Sequence, residues 1–258
     1  MTALITLDVT GRIAQVTLNR APVNAFNTGL FAAFHEILDT LEPRDDWSVL
    51  HVRSALKVFS AGADLAEIRT RFGKDETAAK AAAHNTLSPF QILFQRIADL
   101  PQVSLAEIGG AAMGGGYELA LGCDLRIAAF EARIGLPEAG LGLLPGGGGT
   151  QRLTQIAGPA VAARVILSGD TLDGQTAREL GLVQWSVPRA QIEAEAKRIA
   201  ARVAGLHPLS LAACKDCIRA ARDPSRDGFK AEIDWSGRLF ADAQTHQRVD
   251  DFLSRKKT

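Results

Sequence analysis

Three short stretches hold the residue types from which a proton-transfer site could be built. In Gly114-Gly115-Gly116-Tyr117-Glu118-Leu119-Ala120, three glycines leave a strand pattern and open a helix. Without side chains, their N–H groups can approach a ligand oxygen closely. A helix N-terminus also offers unpaired donors at the positive end of its dipole. Glu118 lies three residues beyond Gly115, one turn along the same helix, so its carboxylate can reach the same ligand. Taken alone, the segment is better explained as a tight strand-to-helix packing turn with a glutamate on the helix dipole.

The second stretch is Phe59-Ser60-Ala61-Gly62-Ala63-Asp64-Leu65, another small-residue turn into a helix. Gly62 and Ala63 would let one more backbone N–H face a ligand. A plain helix start with Asp64 in its first turn explains it equally well. The third is Gly135-Leu136-Pro137-Glu138-Ala139-Gly140, running into Leu144-Pro145 and the glycines 146–149 before Thr150-Gln151-Arg152. A carboxyl at Glu138 has apolar neighbours and few bases. Burial there would raise its pKa, as a general acid near neutral pH requires. A solvated loop glutamate is the other reading. Two backbone donors and two carboxylates together have a logic: the donors hold an oxyanion and the carboxylates move protons. No Ser-His-Asp grouping, metal-ligand spacing or GxxxxGK[ST] phosphate loop is present.

The elements that must position these residues follow from periodicity. Alternation over 4–9 and 13–18, around Thr10-Gly11-Arg12, predicts a hairpin. Leu30, Phe31, Phe34, Ile37, Leu38 and Leu41 keep helical spacing, with Asn27 or Thr28 as cap and Pro43 as stop. Strands are predicted at 48–53, 103–108 and 124–130, with a short one at 183–187. An Ala-rich helix over about 76–99 is expected to break near Pro89. Helices are expected from Gly115 to Gly122, from Thr150, and near 159–167 and 173–180. Beyond about 189 the chain is helical, with breaks at His207-Pro208 and Asp223-Pro224. Strand and helix alternate over three quarters of the chain, so the class is α/β with a helical C-terminal region.

Composition limits the alternatives. The 258 residues carry 29 Lys+Arg against 29 Asp+Glu, so no broad basic footprint exists for nucleic acid or an anionic membrane. At 47% hydrophobic residues, the chain can bury a core of roughly 70–75% of its unfolded surface. The longest charge-free stretch, 81–95, is too short and polar to span a bilayer, and Met1-Thr2-Ala3-Leu4 opens no basic n-region. Cys123, Cys214 and Cys217 make no disulfide framework, which points to a reducing, cytoplasmic compartment. Cys214-Lys215-Asp216-Cys217 is predicted to be a pair of helical core cysteines, not a metal or redox site.

Several motifs in one order resemble the enoyl-CoA hydratase/isomerase (crotonase) superfamily. They are Asn19-Arg20, Asn24-Ala25-Phe26-Asn27, Phe59 to Leu65, the Gly-Gly-Gly-x-Glu-Leu turn with its following Cys123-Asp124, and Leu136-Pro137-Glu138 running to Arg152. Leu167-Ser168-Gly169-Asp170 with Ala177 to Val183 completes the set. The resemblance covers about residues 4–205 and is nearest to the hydratases. It implies a spiral of ββα units over 1–195 that binds acyl-CoA. It also implies a helical region over 196–258 that assembles the chain into a homotrimer or a dimer of trimers. The reaction implied is reversible addition of water to a trans-2-enoyl-CoA, as in fatty-acid metabolism. No cofactor is implied, coenzyme A being part of the substrate. The oxyanion hole would be the N–H groups of Ala63 and Gly115. Glu118 would be the base toward water and Glu138 the acid toward Cα. Ala61, Gly62, Asp64, Leu65, Gly114, Pro137 and Lys57 would contact substrate. Other reactions on the same scaffold are isomerisation, decarboxylation and thioester hydrolysis. A non-catalytic acyl-CoA-binding protein is a rival of another class.

Two departures from the family pattern stand out. Glu107 falls in an expected core strand, where a lone carboxylate is costly and calls for a partner. The stretch from Phe240 to Leu253 keeps only part of the family's C-terminal pattern. Arg20, Lys256 and Lys257 are further candidates, with Lys57, to meet CoA phosphates. His84 and Asn85 are candidates to touch the acyl chain, although a plain surface role also explains them.

Overall fold

The structure, a computed structural model, describes residues 3–73 and 75–255. Strands β1 (Ile5–Thr10) and β2 (Ile13–Leu18) form the expected antiparallel hairpin. Helix α1 (Thr28–Leu41) is capped by Asn27, whose side chain accepts from Leu30 N. After β3 (Val49–Ser54) come the short α2 (Leu65–Thr70) and the long α3 (Glu76–Asp99). Strand β4 (Val103–Ile108) is followed by the two-residue β5 (Ala112–Met113), α4 (Gly115–Gly122), β6 (Leu125–Ala129) and a second two-residue strand, β7 (Ile134–Gly135). Helices α5 (Gly149–Leu167) and α6 (Gly174–Glu179) precede β8 (Trp185–Val187). The chain finishes with α7 (Ile192–Ala204), α8 (Pro208–Ala220), α9 (Gly228–Phe240) and α10 (Ala243–Arg255).

The main sheet runs β1-β2-β3-β4-β6-β8, parallel from β2 onward. Its middle strands are buried because both faces are covered, β4 along its whole length and β3 from Val49 to Val52. Helix α7 lies against β2, β3, β4, β6 and β8, burying Ile192, Ala196, Ile199, Ala200 and Val203. The boundary expected after residue 195 therefore falls inside a helix that belongs to the core. Helices α9 and α10 are different: none of their described residues is buried, and Phe229, Ile233 and Phe240 stand exposed.

Some expectations need correction. Helix α3 is continuous through Pro89. The missing Pro89 N–H leaves the Asn85 carbonyl without its helical donor, and Arg71 Nη1 donates to that oxygen at 3.4 Å. The predicted breaks in the C-terminal helices are found, and a further one occurs at Ala241–Asp242, where Asp242 accepts from Thr245 N. Cys214 is exposed and Cys217 half-buried, because α8 turns Ala213 and Ala220 inward instead. Glu107 does find partners. Its Oε2 lies 2.9 Å from His51 Nε2 and its Oε1 3.5 Å from Arg53 Nε, beneath α7, where Arg53 also pairs with Glu193. No helix among the described residues is long and apolar enough to cross a membrane.

Candidate active site

The loops that leave β3 and β4 run side by side, and their contact brings two main-chain donors together. Ser60 bridges Ala112, Met113 N donates to Ser60 O at 3.0 Å, and Ser60 N donates to Ala111 O at 3.1 Å. On the other side, Phe26 N donates to Gly62 O at 2.7 Å and Asp64 N donates to Phe26 O at 2.8 Å. This parallel bridge uses the amides on either side of Ala63 and leaves its own N–H pointing away. The buried Asn24 ties the arrangement down. Its side chain donates to Phe59 O at 2.9 Å and its carbonyl accepts from Ser60 Oγ at 2.8 Å.

Gly115 begins α4 beside this loop. A Cβ on Gly115 would stand 2.7 Å from the Phe90 ring and 3.5 Å from Ala63 N, so glycine lets the start of α4 sit against Phe90 with the Ala63 amide beside it. The N–H groups of Ala63 and Gly115 take part in none of the described hydrogen bonds. A pair of unpaired donors, one of them at a helix N-terminus, is suited to a developing oxyanion.

The carboxylates flank these donors. Strands β5 and β7 pair in parallel, Gly114 N donates to Gly135 O at 3.0 Å, and Glu138 thereby lands over the start of α4. A Cβ on Gly114 would lie 2.6 Å from Glu138 Oε1. Glu138 Oε2 is buried and has no hydrogen-bond partner among the described residues. Burial raises the pKa of Glu138.

Glu118 is held from the opposite side. Gly149 N donates to its Oε1 at 2.7 Å, across 31 residues of sequence. Cβ atoms on Gly147 and Gly149 would stand 2.7 Å and 2.8 Å from its carboxylate oxygens, so the glycine loop wraps the group in backbone. Burial, helped by the nearby negative charge of Glu138, pushes Glu118 up to about 7 against the donated N–H groups of Gly149 and Gly147. No cation among the described residues touches it. Arg152, the nearest helpful charge, spends its guanidinium on Gly147 O at 2.9 Å and Gln95 Oε1 at 3.0 Å.

Both carboxylates and both donor residues line one cavity of about 660 Å³. Its far walls are apolar, from Ile68 and Phe72, from Ala79, Ala82 and Ala83 on α3, and from Leu144. Its floor joins the tilted and edge-to-face rings of Phe26, Phe31, Phe90 and Phe94, with centroids 4.7–5.8 Å apart.

The structure brings Glu118, Glu138, Ala63, Gly115, Ala61, Leu65, Gly114 and Pro137 to this cavity. Gly62 stands behind it, with φ +93°, and a Cβ there would be 2.7 Å from Met113 O. Asp64 is not on the cavity wall: it caps α2 and pairs with Arg20 at 2.8 Å. Arg20 is engaged by that pair and also donates to Ala25 O at 2.9 Å. Lys57 is exposed and outside the cavity lining. His84 and Asn85 do not line it either, because α3 presents Ala83, Thr86 and Leu87 to the cavity. Lys256 and Lys257 lie outside the described residues. Sequence reasoning did not find Asn24, Phe90, Gly147 and Gly149 as site-building residues. Only the motif order around them carried any signal.

The chain matches the family model described as enoyl-CoA hydratase/isomerase over residues 8–258. It is 33% identical over 255 residues to a probable enoyl-CoA hydratase of Bacillus subtilis, covering 98% of this chain and 96% of that one. It is 34% identical over 247 residues to a 2,3-dehydroadipyl-CoA hydratase of Escherichia coli, covering 95% and 93%. The crystal structure of an enoyl-CoA hydratase from Bacillus anthracis superposes with a TM-score of 0.89 at 30% identity, covering 98% of this chain and 97% of that one. The site geometry and these likenesses agree: this chain belongs to the enoyl-CoA hydratase/isomerase family.

Proposed function

We propose that the protein is an enoyl-CoA hydratase that adds water reversibly to a trans-2-enoyl-CoA, giving the 3-hydroxyacyl-CoA. The observation that carries this reading is the convergence of two unpaired main-chain donors, the buried Glu118 and the half-buried Glu138 on one apolar-walled cavity. In the hydration direction the thioester oxygen sits between the N–H groups of Ala63 and Gly115. Glu118 removes a proton from water as the water oxygen bonds to Cβ. The electron pair of the double bond moves onto the thioester oxygen, where the two donors stabilise the enolate. Comparable oxyanion donors contribute roughly 3–4 kcal/mol each. Glu138 then gives its proton to Cα.

The charge of Glu138 raises the proton affinity of Glu118 and burial raises that of Glu138, and the scheme requires the pair to carry one proton. The hydrating arrangement has that proton on Glu138 and the charge on Glu118. The dehydrating arrangement is the reverse. A group that titrates at about 7 makes both accessible, which suits a reaction run in either direction.

Purified protein mixed with crotonyl-CoA should lose the enoyl thioester absorbance, and Glu118→Gln and Glu138→Gln should lose it far more slowly. No turnover of any enoyl-CoA would overturn the hydratase reading. Full activity in both variants would overturn only the roles given to these residues.

The acyl-CoA substrate needs no resident cofactor in this scheme. The C-terminal region 196–258 serves assembly, through the exposed apolar residues of α9 and α10, into a homotrimer or a dimer of trimers. Light scattering of the purified chain tests that assembly. The sparse, unpaired cysteines and balanced charge support a cytoplasmic location.

A further inference from the structure

The acyl cavity has one charged side chain besides the two glutamates among its described lining residues: Arg71, at the end of α2. Its surroundings decide what the far end of the cavity can recognise. Arg71 forms the partition between the acyl cavity and a side pocket of about 120 Å³ lined by Phe26, Thr28, Phe31 and Glu67. On the side-pocket face its Nη2 contacts Glu67 Oε1 and donates to Thr28 Oγ1 at 3.2 Å, while Nη1 donates to the Asn85 carbonyl at 3.4 Å. Thr28 N in turn donates to Glu67 Oε2 at 3.2 Å. Glu67 lines the side pocket and not the acyl cavity. The guanidinium is therefore paired with a carboxylate on the side-pocket face, and its charge is already spent before an acyl tail enters.

We propose that the Glu67–Arg71–Thr28 cluster is the specificity-determining element of the acyl cavity, holding the Arg71 cation so that the site selects an uncharged aliphatic enoyl tail over one ending in a carboxylate. A tail carboxylate entering the cavity would lose its water, and it would have to displace Glu67 to gain a partner. An alkyl tail meets Ile68, Phe72, Ala79, Ala82 and Ala83 with nothing to displace. The same cluster holds the unused Pro89-side carbonyl of α3, so it also fixes the wall that carries those alanines. This inference rests on the hydratase reading for its kinetic test, but not for its binding test.

The test compares tails of equal length with and without a terminal carboxylate. For turnover the pair is trans-2-hexenoyl-CoA and 2,3-dehydroadipyl-CoA, and for binding it is hexanoyl-CoA and adipyl-CoA. Wild type should favour the alkyl member by tenfold or more in kcat/KM and in Kd. Glu67→Gln leaves Arg71 uncompensated and should narrow the ratio at least fivefold, by gaining on the carboxylated member. Thr28→Val should narrow it by a smaller factor, and Glu67→Gln combined with Arg71→Met should restore the alkyl preference. Equal or better use of the carboxylated tail by wild type overturns the proposal. So does a ratio that Glu67→Gln leaves unchanged when the variant still binds hexanoyl-CoA. Should no enoyl-CoA be turned over, the hydratase reading fails while the binding ratios still decide this one. Should Glu67→Gln not fold, the wild-type ratios and Thr28→Val decide it.

Discussion

Glu107 and Glu118 are the same residue type at nearly the same burial, 4% and 3% exposed, yet the molecule treats them in opposite ways. Glu107 sits in β4 between His51 and Arg53, with Arg53 passed on to Glu193 of the covering helix. Glu118 sits in α4 among glycine backbone, with two donated N–H groups and no cation among the described residues in contact. The first arrangement balances a charge and ties a sheet to a helix. The second leaves the charge costly, which keeps a proton exchangeable near neutrality. What differs is the company each group keeps rather than its depth.

The largest expected effect is at Glu118. Glu118→Gln should lower kcat by roughly 10³-fold, about 4 kcal/mol of barrier, with the melting temperature held or raised. A stopped assay on crotonyl-CoA beside a thermal melt separates the two readouts. Glu107→Ala should do the opposite. It leaves His51 and Arg53 facing an unfilled gap, costs about 3 kcal/mol of stability, and moves the melting transition down by several degrees. Turnover per folded molecule should hold. A large kcat loss there with an unchanged melt would erase the contrast between the two glutamates.

Glu138→Gln should cost about 10² in kcat, less than Glu118→Gln, and should pull the titration of Glu118 downward because a neighbouring negative charge is gone. The smallest effect is on pH. As pH rises through about 7, Glu118 ionises and becomes able to take a proton from water, so hydration by kcat/KM should climb. Stability runs the other way for this group. Its folded pKa lies above the ordinary carboxylate value, so its contribution is full below that value and is lost as pH rises through about 7. Glu118→Gln should abolish both the rising limb and that loss, whereas Glu107→Ala should leave the rising limb in place.

Much of this contrast was legible in the order of residues. The hairpin announced itself by alternation, and α1 by the spacing of Leu30, Phe34, Leu38 and Leu41 behind Asn27. The convergence of 59–65, 114–120 and 135–152 was visible as motifs in one sequence, which carry spatial meaning only as a set. Strands β5 and β7 were not visible, because two residues have no period to detect, although they are what sets Glu138 over Gly114. The grip of Gly147 and Gly149 on Glu118 was hidden by sequence distance. The continuity of α3 through Pro89 depended on an arginine from another helix, which local rules cannot anticipate. Arg71 gave no signal at all, since a lone arginine on a polar stretch is ordinarily solvated.

Every residue of the eight-residue α4 is buried. Such a segment has no free surface on which neutral change can accumulate, so mutational drift in descendants of this chain would be pushed elsewhere. The outer walls, made by α2, the first half of α3 and the leucine-bearing turn at 141–144, are open to the outside and can be rewritten without touching the reacting bond. Appetite for a new acyl tail can therefore evolve quickly in this architecture, while the hydration step itself is kept almost unaltered.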